Sequence, residues 1–467
     1  MMETEAFHLP GLRPNDVRSW RTLERDGLSL RFPVLDQNGF EHLCDALRAA
    51  RTRRLAGRSA ATIVDAVAEA ATILREDAAR PSLESEIAIM SGYAEQMVHH
   101  VLERMLHDWT RSALLQLLDA ELDGGRALET FQAQRGRSVR SRAFGPDLTL
   151  HVFAGNVPGV AVTAMIRSLL VRSAVLGKMA SGEPILATWF ARALARVDPE
   201  LAACIGITYW PGEDGQSTDH AMRHADAVVV YGGANAARAI RERAPGRTRI
   251  IEHGPRFSVG VVSSRVLASG AEADRVADDI ARAVATFDQQ GCVSPHAVWV
   301  EEGGAIGARG LAERIARSLA SLETELPPGK RSAGEAAGVH DARTRAEFRA
   351  VAGEATWVWA SGDTSWTVIC EDADAFEPSP LSRTLRVHPV AVVEDVPLRI
   401  ARAGAFLQTV AIAADSATIE ALAPRFARIG ATRITSFAQM PWPPVTGHHD
   451  GRGPLAELVR WVDLEVE

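Results

Sequence analysis

The chain has 467 residues, a formal net charge of −8, and ordinary proportions of hydrophobic (46%) and charged (24%) residues. This length exceeds what one compact core usually holds, so two or three domains are expected. The mildly acidic balance argues against a nucleic-acid groove as the main function, and no nucleic-acid partner is expected.

The N-terminal stretch METEAFHLPGLRPND lacks the apolar run of a secretory signal. The most apolar stretch, residues 157–180, is interrupted by Arg167, Arg172 and Lys178, so no membrane span is expected. The four cysteines lie far apart and without CxxC spacing, which predicts free thiols, no metal site and a cytoplasmic location.

Residues 1–145 are predicted to be mainly helical, because apolar residues recur at helical spacing in segments such as EHLCDALRAARTRRL and ATIVDAVAEAATILRED. Residues 146–262 alternate strand and helix, with strands predicted in LTLHVFA, SAVLGKM, CIGITYW, AVVVYGG, RIIEH and RFSVGVV. This alternation predicts an α/β fold with a doubly wound parallel sheet, which binds ligands at the carboxyl ends of its strands.

A long helix, AEADRVADDIARAVATFDQQ, opens a second α/β region, predicted over residues 263–440. Within it, residues 326–343 are rich in Pro and Gly and are predicted to form an exposed loop. Residues 441–467 are predicted to form a C-terminal strap.

Cys292 lies in the turn FDQQGCVSPH, between that long helix and a predicted strand. An isolated cysteine is more often a buried side chain than a nucleophile. A polar turn, however, supplies the partial exposure and the hydrogen-bond donors that a reactive thiolate needs. Cys44, Cys204 and Cys370 lie inside periodic apolar segments and are predicted to be core residues.

Three strand ends in the predicted parallel sheet carry candidate site residues. Asn156, in the turn GNVPG, is placed to donate to a developing oxyanion, although an Asn in such a turn more often caps it. Lys178 ends the next strand and is one of only two lysines among 51 basic residues. Gly232 and Gly233 end the fourth strand, where a cofactor backbone needs room.

These motifs, in this order, resemble the aldehyde dehydrogenase superfamily and, within it, the acyl-CoA reductase family of bacterial bioluminescence, the LuxC family. The stretches that carry the resemblance are HVFAGNVPG, SAVLGKMASGEP, VVVYGGAN, EHGPRFS, FDQQGCVSPH, LSRTLRVHPV and HHDGRGPL. They span nearly the whole chain beyond residue 147, and the helical N-terminal part is compatible but less specific.

The resemblance implies a role for each matching residue. Cys292 would accept the acyl group, and Asn156 with the Cys292 backbone N–H would form the oxyanion hole. Lys178 would bind the adenine-side ribose of a nicotinamide cofactor, and Gly232 and Gly233 would lie beside its pyrophosphate. Glu252 stands in the place of the superfamily's general base, and Gly254 of EHGPRFS is counted with the cofactor-binding residues.

Two departures from the superfamily pattern bear on the cofactor. Ser181 replaces a Glu that binds both ribose hydroxyls, which leaves room for a 2′-phosphate and favours NADPH, with Glu183 nearby as a rival ribose ligand. Leu385 replaces the Glu that holds the nicotinamide ribose. Glu252 itself conflicts with a reductase, because a glutamate base activates water and would hydrolyse a thioester.

The predicted function is therefore NADPH-dependent reduction of an acyl thioester, with a long-chain fatty acyl group favoured, to the aldehyde through acyl-Cys292. The expected substrate is acyl-CoA or another acyl thioester. An acyl-protein synthetase or acyl carrier protein is a candidate partner, and a homo-oligomer is expected. The alternatives are an NAD(P)-dependent dehydrogenase that oxidises an aldehyde to acid or acyl-CoA, and a catalytically silent scaffold.

The tail motif HHDG, with His448, His449 and Asp450, leaves two interpretations open. Adjacent histidines on a strand point in different directions and make a poor metal site, so a turn with one exposed His is favoured. A strap that offers one of these histidines as a proton donor is the alternative. His296, at the start of a strand, is predicted to be a packed side chain rather than a base.

Overall fold

The structure is a computed structural model that describes residues 2–133, 139–372 and 375–465. Its strands, in chain order, are β1 (Met2–Glu5), β2 (Val17–Arg25), β3 (Leu28–Leu35), β4 (Gln132–Ala133), β5 (Arg140–Phe144), β6 (Leu148–Val152), β7 (Ala174–Met179), β8 (Ile205–Tyr209), β9 (Ala227–Tyr231), β10 (Arg249–His253), β11 (Phe257–Val262), β12 (Pro295–Glu301), β13 (Thr356–Ala360), β14 (Thr367–Glu371), β15 (Thr384–Val390), β16 (Leu407–Ala413), β17 (Arg433–Thr435) and β18 (Arg460–Leu464).

The helices are α1 (Gln37–Ala50), α2 (Ala60–Glu76), α3 (Arg80–Ser91), α4 (Glu95–Asp108), α5 (Arg111–Leu122), α6 (Arg126–Glu129), α7 (Val160–Leu170), α8 (Leu186–Val197), α9 (Pro199–Ala202), α10 (Gly215–Arg223), α11 (Ala234–Arg243), α12 (Gly270–Ala285), α13 (Ala308–Glu325), α14 (Ala333–Val351), α15 (Val396–Ile400) and α16 (Ser416–Arg428). No helix among the described residues is both long and apolar enough to cross a membrane.

The chain divides into two compact units. The first contains residues 1–91, 98–254 and 444–467, and the second contains residues 92–97 and 255–443. The tail therefore joins the first unit, and the main division falls at residue 254 rather than at the predicted 262.

The first unit is built around a five-stranded parallel sheet in the order β10-β9-β6-β7-β8. Strands β6 and β7 are buried at every residue, as expected for strands covered by helices on both faces. The five predicted parallel strands and their connecting helices are confirmed. The predicted N-terminal helices are present as α1–α6, but the sequence analysis missed the three-stranded sheet β1-β3-β2 that precedes them.

The second unit holds a seven-stranded sheet in the order β13-β14-β15-β12-β11-β16-β17, parallel except for the β13–β14 pair. Strand β11, which the sequence analysis assigned to the cofactor-binding region, pairs instead with β12 and β16. That assignment was wrong because a continuous apolar run shows that a strand is buried but not in which sheet.

The predicted exposed loop over residues 326–343 is also wrong for much of its length. Helix α14 begins at Ala333, behind a capping box in which Ser332 and Glu335 each accept from the other's backbone N–H. Leu326 is buried. The Pro and Gly residues of this segment thus mark the entry to a helix rather than a long linker.

Candidate active site

The predicted site residues of the first unit lie at or just beyond the carboxyl ends of strands of the five-stranded sheet. Asn156 follows β6, Lys178 lies near the end of β7, Gly232 follows β9, and Glu252 lies in β10. Because neighbouring strands are parallel, their carboxyl ends meet at one edge. The structure therefore brings these residues to the edge of the sheet where a ligand is expected.

Asn156 is exposed in the turn between β6 and α7. The residue before it, Gly155, packs against the turn that follows β7: a Cβ on Gly182 would lie 2.9 Å from the Gly155 carbonyl oxygen. Only glycine permits this approach, so the Asn156 and Ser181 turns are held against each other. This contact explains why both turns carry glycine.

Lys178 is nearly buried, and its Nζ lies 5.8 Å from the centre of the Trp210 ring. Burial lowers the pKa of the Lys178 ammonium, while the carboxylates of Glu213 and Asp214 oppose that shift. A cation held in this way against an aromatic face is a positioned group rather than a freely solvated one.

Glu183, the rival ribose ligand in the sequence analysis, lies elsewhere. Its side chain is buried, and its Oε1 accepts from the backbone N–H groups of Ile185 and Leu186, at 2.9 and 2.8 Å. The carboxyl group therefore caps the start of α8. Ser181, by contrast, is exposed in the preceding turn.

The glycines that follow β9 and β10 leave open space. A side chain at Gly233 or Gly254 would meet no atom within 4 Å, and Gly232 donates its N–H to the His253 carbonyl oxygen at 3.2 Å. A dinucleotide backbone can approach a surface of this kind. Together with Lys178 and Ser181, these residues fit a nicotinamide dinucleotide.

Glu252 is paired with a cation. Arg241 of α11 donates from Nε to Oε1 at 3.0 Å and from Nη2 to Oε2 at 2.5 Å. The Glu252 backbone carbonyl oxygen also accepts from Arg452 at 2.8 Å. Both carboxylate oxygens of Glu252 therefore accept from one guanidinium. The structure thus identifies Arg241 as the cation that pairs with Glu252.

Cys292 lies in the second unit, in a turn that precedes β12, and is the one cysteine that is not buried. Burial raises the pKa of each of the thiols of Cys44, Cys204 and Cys370 to about 12, so these three are inert core residues as predicted. The backbone of the Cys292 turn is anchored to β11, since Ser258 Oγ donates to the Cys292 carbonyl oxygen at 2.7 Å.

His296 is buried at the start of β12 and accepts from the Ser379 N–H through Nδ1 at 3.2 Å. Burial lowers its pKa to about 4, so the ring stays neutral near pH 7. This agrees with the prediction that His296 is packed rather than a base.

A cluster around His253 was missed by the sequence analysis. His253 Nδ1 lies 3.0 Å from Asp450, and Nε2 lies 3.2 Å from Glu457. Burial opposes its charge, but the two carboxylates outweigh that effect and raise the pKa of His253. Its ring stacks on His449 with a centroid separation of 3.9 Å, and burial beside the charged His253 lowers the pKa of His449 to about 3.

Nitrogen and oxygen atoms of His253, His449 and Asp450 lie within 4.8 Å of one another, as in a metal site. The two rings, however, are parallel to within 7°, so one ion cannot lie in both ring planes. His448 is exposed. The tail motif therefore serves to bind the tail to β10, and the expected lack of a metal stays a prediction.

Comparison with solved structures shows the fold. An indole-3-acetaldehyde dehydrogenase of P. syringae matches with a TM-score of 0.77 at 12% identity, covering 100% of this chain and 97% of that one. The aldehyde dehydrogenase 21 of Physcomitrella patens matches with a TM-score of 0.75 at 12% identity, covering 99% and 98%. The chain thus has the aldehyde dehydrogenase fold.

Comparison of sequences is more specific. A long-chain acyl-protein thioester reductase 2 of Photobacterium leiognathi is 27% identical over 80% of this chain and 75% of that protein. A long-chain acyl-protein thioester reductase of Vibrio harveyi is 26% identical over 80% and 76%. Residues 55–461 match the acyl-CoA reductase (LuxC) family as a whole. The chain belongs to the LuxC family of acyl-CoA reductases, on the aldehyde dehydrogenase fold.

Proposed function

We propose that this protein reduces a long-chain acyl thioester to the aldehyde with NADPH, through a thioester on Cys292. One observation carries the proposal: of four cysteines, only Cys292 is accessible, and it lies in a turn whose carbonyl is anchored by Ser258. Family membership supports the reaction class.

In the proposed reaction, the Cys292 thiolate attacks the carbonyl carbon of the substrate thioester, and the carrier thiolate leaves. A cysteine suits this step because exchange of one thioester for another is nearly thermoneutral. Asn156 is proposed to donate its amide N–H to the oxygen on which negative charge develops, together with the Cys292 backbone N–H. The product of this half-reaction is acyl-Cys292 and the free carrier thiol.

A nicotinamide cofactor, when bound, supplies the hydride that reduces the acyl carbon. The aldehyde then leaves, and the Cys292 sulfur departs as the thiolate; the one proton that the whole reaction takes up converts the carrier thiolate of the first half-reaction to the thiol. Lys178 is proposed to hold a ribose hydroxyl of the cofactor, and Gly232, Gly233 and Gly254 to leave room for its backbone. NADPH is proposed over NADH because Ser181 carries no charge and Glu183 caps α8.

Glu252 is proposed not to activate water. Its pairing with Arg241 supports this, because the guanidinium takes up lone pairs on both carboxylate oxygens that would otherwise accept from a water molecule. The acyl-enzyme would then survive until it is reduced. The same pairing argues against a dehydrogenase that hydrolyses its acyl-enzyme, because that reaction needs a carboxylate oxygen free to accept from water.

The carrier of the acyl group is proposed to be a protein thioester or CoA, since the relatives are named acyl-protein thioester reductases. A partner that carries such a group, an acyl-protein synthetase or an acyl carrier protein, fits this proposal. A cytoplasmic location and a homo-oligomeric state belong to it as well.

The test is product analysis with both cofactors. The protein is incubated with a long-chain acyl-CoA and NADPH, and in parallel with the matching aldehyde and NAD⁺. Aldehyde from the first mixture, at a rate well above that of acid from the second, is the expected result. Acid from the second mixture with no aldehyde from the first would identify an aldehyde-oxidising dehydrogenase instead.

A further inference from the structure

The turn that leads into Cys292 has a strained backbone. Phe287, Asp288 and Gln289 are consecutive residues with φ of 58°, 47° and 66°, and none of them is glycine. The left-handed region is unfavourable for residues with an L side chain, and a run of three is rarely seen. Such conformations persist only where the surrounding structure holds them, and they concentrate at functional sites.

A second strained run lies in the segment before β15. Leu381, Ser382 and Arg383 have φ of 67°, 52° and 57°. The two runs are joined by a buried ion pair, because Arg383 Nε donates to Asp288 Oδ1 at 2.7 Å and the Arg383 side chain is wholly buried. Arg383 also donates to the carbonyl oxygens of Leu326 and Pro327.

Each residue of the first run has its own partner from a different segment. The Phe287 carbonyl oxygen accepts from the Tyr93 hydroxyl at 3.1 Å. Asp288 accepts from the Gly329 N–H at 2.9 Å, in addition to Arg383. The first two residues of the run are therefore each held by contacts from other segments of the chain.

Gln289, the third left-handed residue, is held by its own side chain. Its amide nitrogen donates to the carbonyl oxygens of Pro295 and Thr384 at 2.7 and 2.9 Å, and its amide oxygen accepts from the Thr384 N–H at 2.8 Å. Gln289 is fully buried. Because Pro295 lies just after Cys292, this one side chain joins both ends of the cysteine turn to the start of β15.

We propose that Gln289 and the Asp288–Arg383 ion pair are positioning residues that hold Cys292 in the geometry needed for attack. The inference rests on the proposed function of Cys292. Released from these contacts, the turn would relax out of the left-handed region and carry the thiol away from its reactive position. Misplacement of a reacting group by about 1 Å costs about 10²-fold in rate.

The second unit offers a matched control. Arg386 and Glu371 form another buried ion pair, with side chains only 2% and 3% exposed, and Arg386 also pairs with Glu377 at 3.0 Å. Arg383→Met and Arg386→Met each remove one buried guanidinium from an ion pair in the same sheet region. Both should lower the melting temperature, but only Arg383→Met should change how Cys292 reacts.

The experiment measures single-turnover acylation of Cys292 by a labelled acyl-CoA, together with kcat and KM. For Arg383→Met, kcat and the acylation rate should fall about 10²-fold while KM stays within about threefold. For Arg386→Met, both should stay near wild type. Arg383→Lys, which keeps the charge, should recover part of the loss. Should Arg383→Met not fold, Gln289→Glu, which places a carboxylate oxygen against two carbonyl oxygens, takes its place with the same expectation.

Equal acylation rates in the two Met variants would overturn the inference while leaving the proposed function intact. A wild-type protein that takes no acyl group on Cys292 would instead remove the proposed function and this inference with it. The two failures are therefore distinguishable in one set of measurements.

Discussion

The two units present their candidate residues in different ways. In the first unit, Asn156, Lys178 and Glu252 follow or end ordinary parallel strands, and at least one of them, Asn156, is exposed. In the second unit, Cys292 follows three left-handed residues that are braced by buried side chains. The first unit presents several polar groups at the ends of parallel strands, and the second holds a single thiol after a run of three left-handed residues.

The difference matches the roles proposed for the two sets of residues. A nucleophile must hold one position against a carbonyl carbon, and strain opposed by buried contacts restricts its motion. A dissociable cofactor must enter and leave, and the exposure of the proposed cofactor-binding residues Ser181 and Gly233 serves that purpose. Glu252, paired with the exposed guanidinium of Arg241, keeps a charge in place without burying it.

Removal of the Cys292 thiol should have the largest effect on activity. Cys292→Ala and Cys292→Ser should abolish acyl labelling and NADPH oxidation, because the nucleophile alone is removed, while NADPH binding persists. Labelling is read on denaturing gels and binding by fluorescence titration. Cys204→Ala, in the buried core of the first unit, should keep its activity. Full activity of Cys292→Ala would end this account.

Removal of the proposed oxyanion donor should have the next largest effect. Asn156→Ala should lower kcat by about 10²–10³, the usual cost of one oxyanion-hole donor, with a small change in cofactor affinity. Steady-state kinetics gives both values. Asn235→Ala, an exposed Asn of α11 in the same unit, is the control. An unchanged kcat in Asn156→Ala would leave Asn156 as a turn residue.

Removal of the proposed contact between Lys178 and the cofactor ribose should have a smaller effect, and it should weaken the binding of both cofactors. Lys178→Ala should raise the Kd of NADPH and of NADH alike by about tenfold, since a ribose hydroxyl is common to both. Wild type should bind NADPH more tightly than NADH. Lys330→Ala changes the only other lysine, which is exposed, and should bind both as wild type does. Tighter binding of NADH would contradict the assignment of Ser181.

The smallest predicted effect concerns the tail of the first unit. His253 faces Asp450 and Glu457, stacks on His449 and Tyr231, and has a raised pKa. A raised pKa in the folded state gives stability that is present below the unfolded value near 6.5 and is lost as pH rises through the folded value. The melting temperature of wild type should therefore exceed that of His253→Gln by more at pH 6.5 than at pH 9.

The expected change in that difference is on the order of 2 °C, since one ion-pair cluster contributes little in a chain of this length. Scans across pH 6.5 to 9 keep His449, whose pKa is lowered to about 3, in its neutral form. A difference that grows toward pH 9 would show that His253 is not held as a cation.

Much of the first unit could be predicted from local sequence. The alternation of apolar strands with helices from residue 147 predicted the five parallel strands of the sheet. The glycine turns indicated the edge of that sheet at which a ligand is expected to bind. Strand β11 was misplaced because only three residues separate it from β10, and its apolar residues fit either sheet. The contacts that hold the Cys292 turn could not be predicted, because Gln289 and Thr384 are 95 residues apart. The three left-handed residues that precede Cys292 also include no glycine, so the sequence gives no sign of their conformation.

The His253 cluster was hidden for the same reason. His253 and Asp450 are separated by 197 positions, so the motif HHDG gave no indication that it contacts His253. Arg241, 11 residues before Glu252, was likewise one of many arginines in the sequence. In a chain with 51 basic residues, only the folded structure can say which cation neutralises a given carboxylate.

The central claim is that acyl-Cys292 is reduced and not hydrolysed, and the decay of labelled acyl-enzyme tests it directly. Wild type and Glu252→Gln should both keep the label for a long time without NADPH and release it quickly as aldehyde when NADPH is added. Arg241→Ala, which frees the Glu252 carboxylate, should lose label to free acid several times faster than wild type. Rapid loss of label to free acid in wild type, stopped by Glu252→Gln, would contradict the account and identify a hydrolytic aldehyde dehydrogenase.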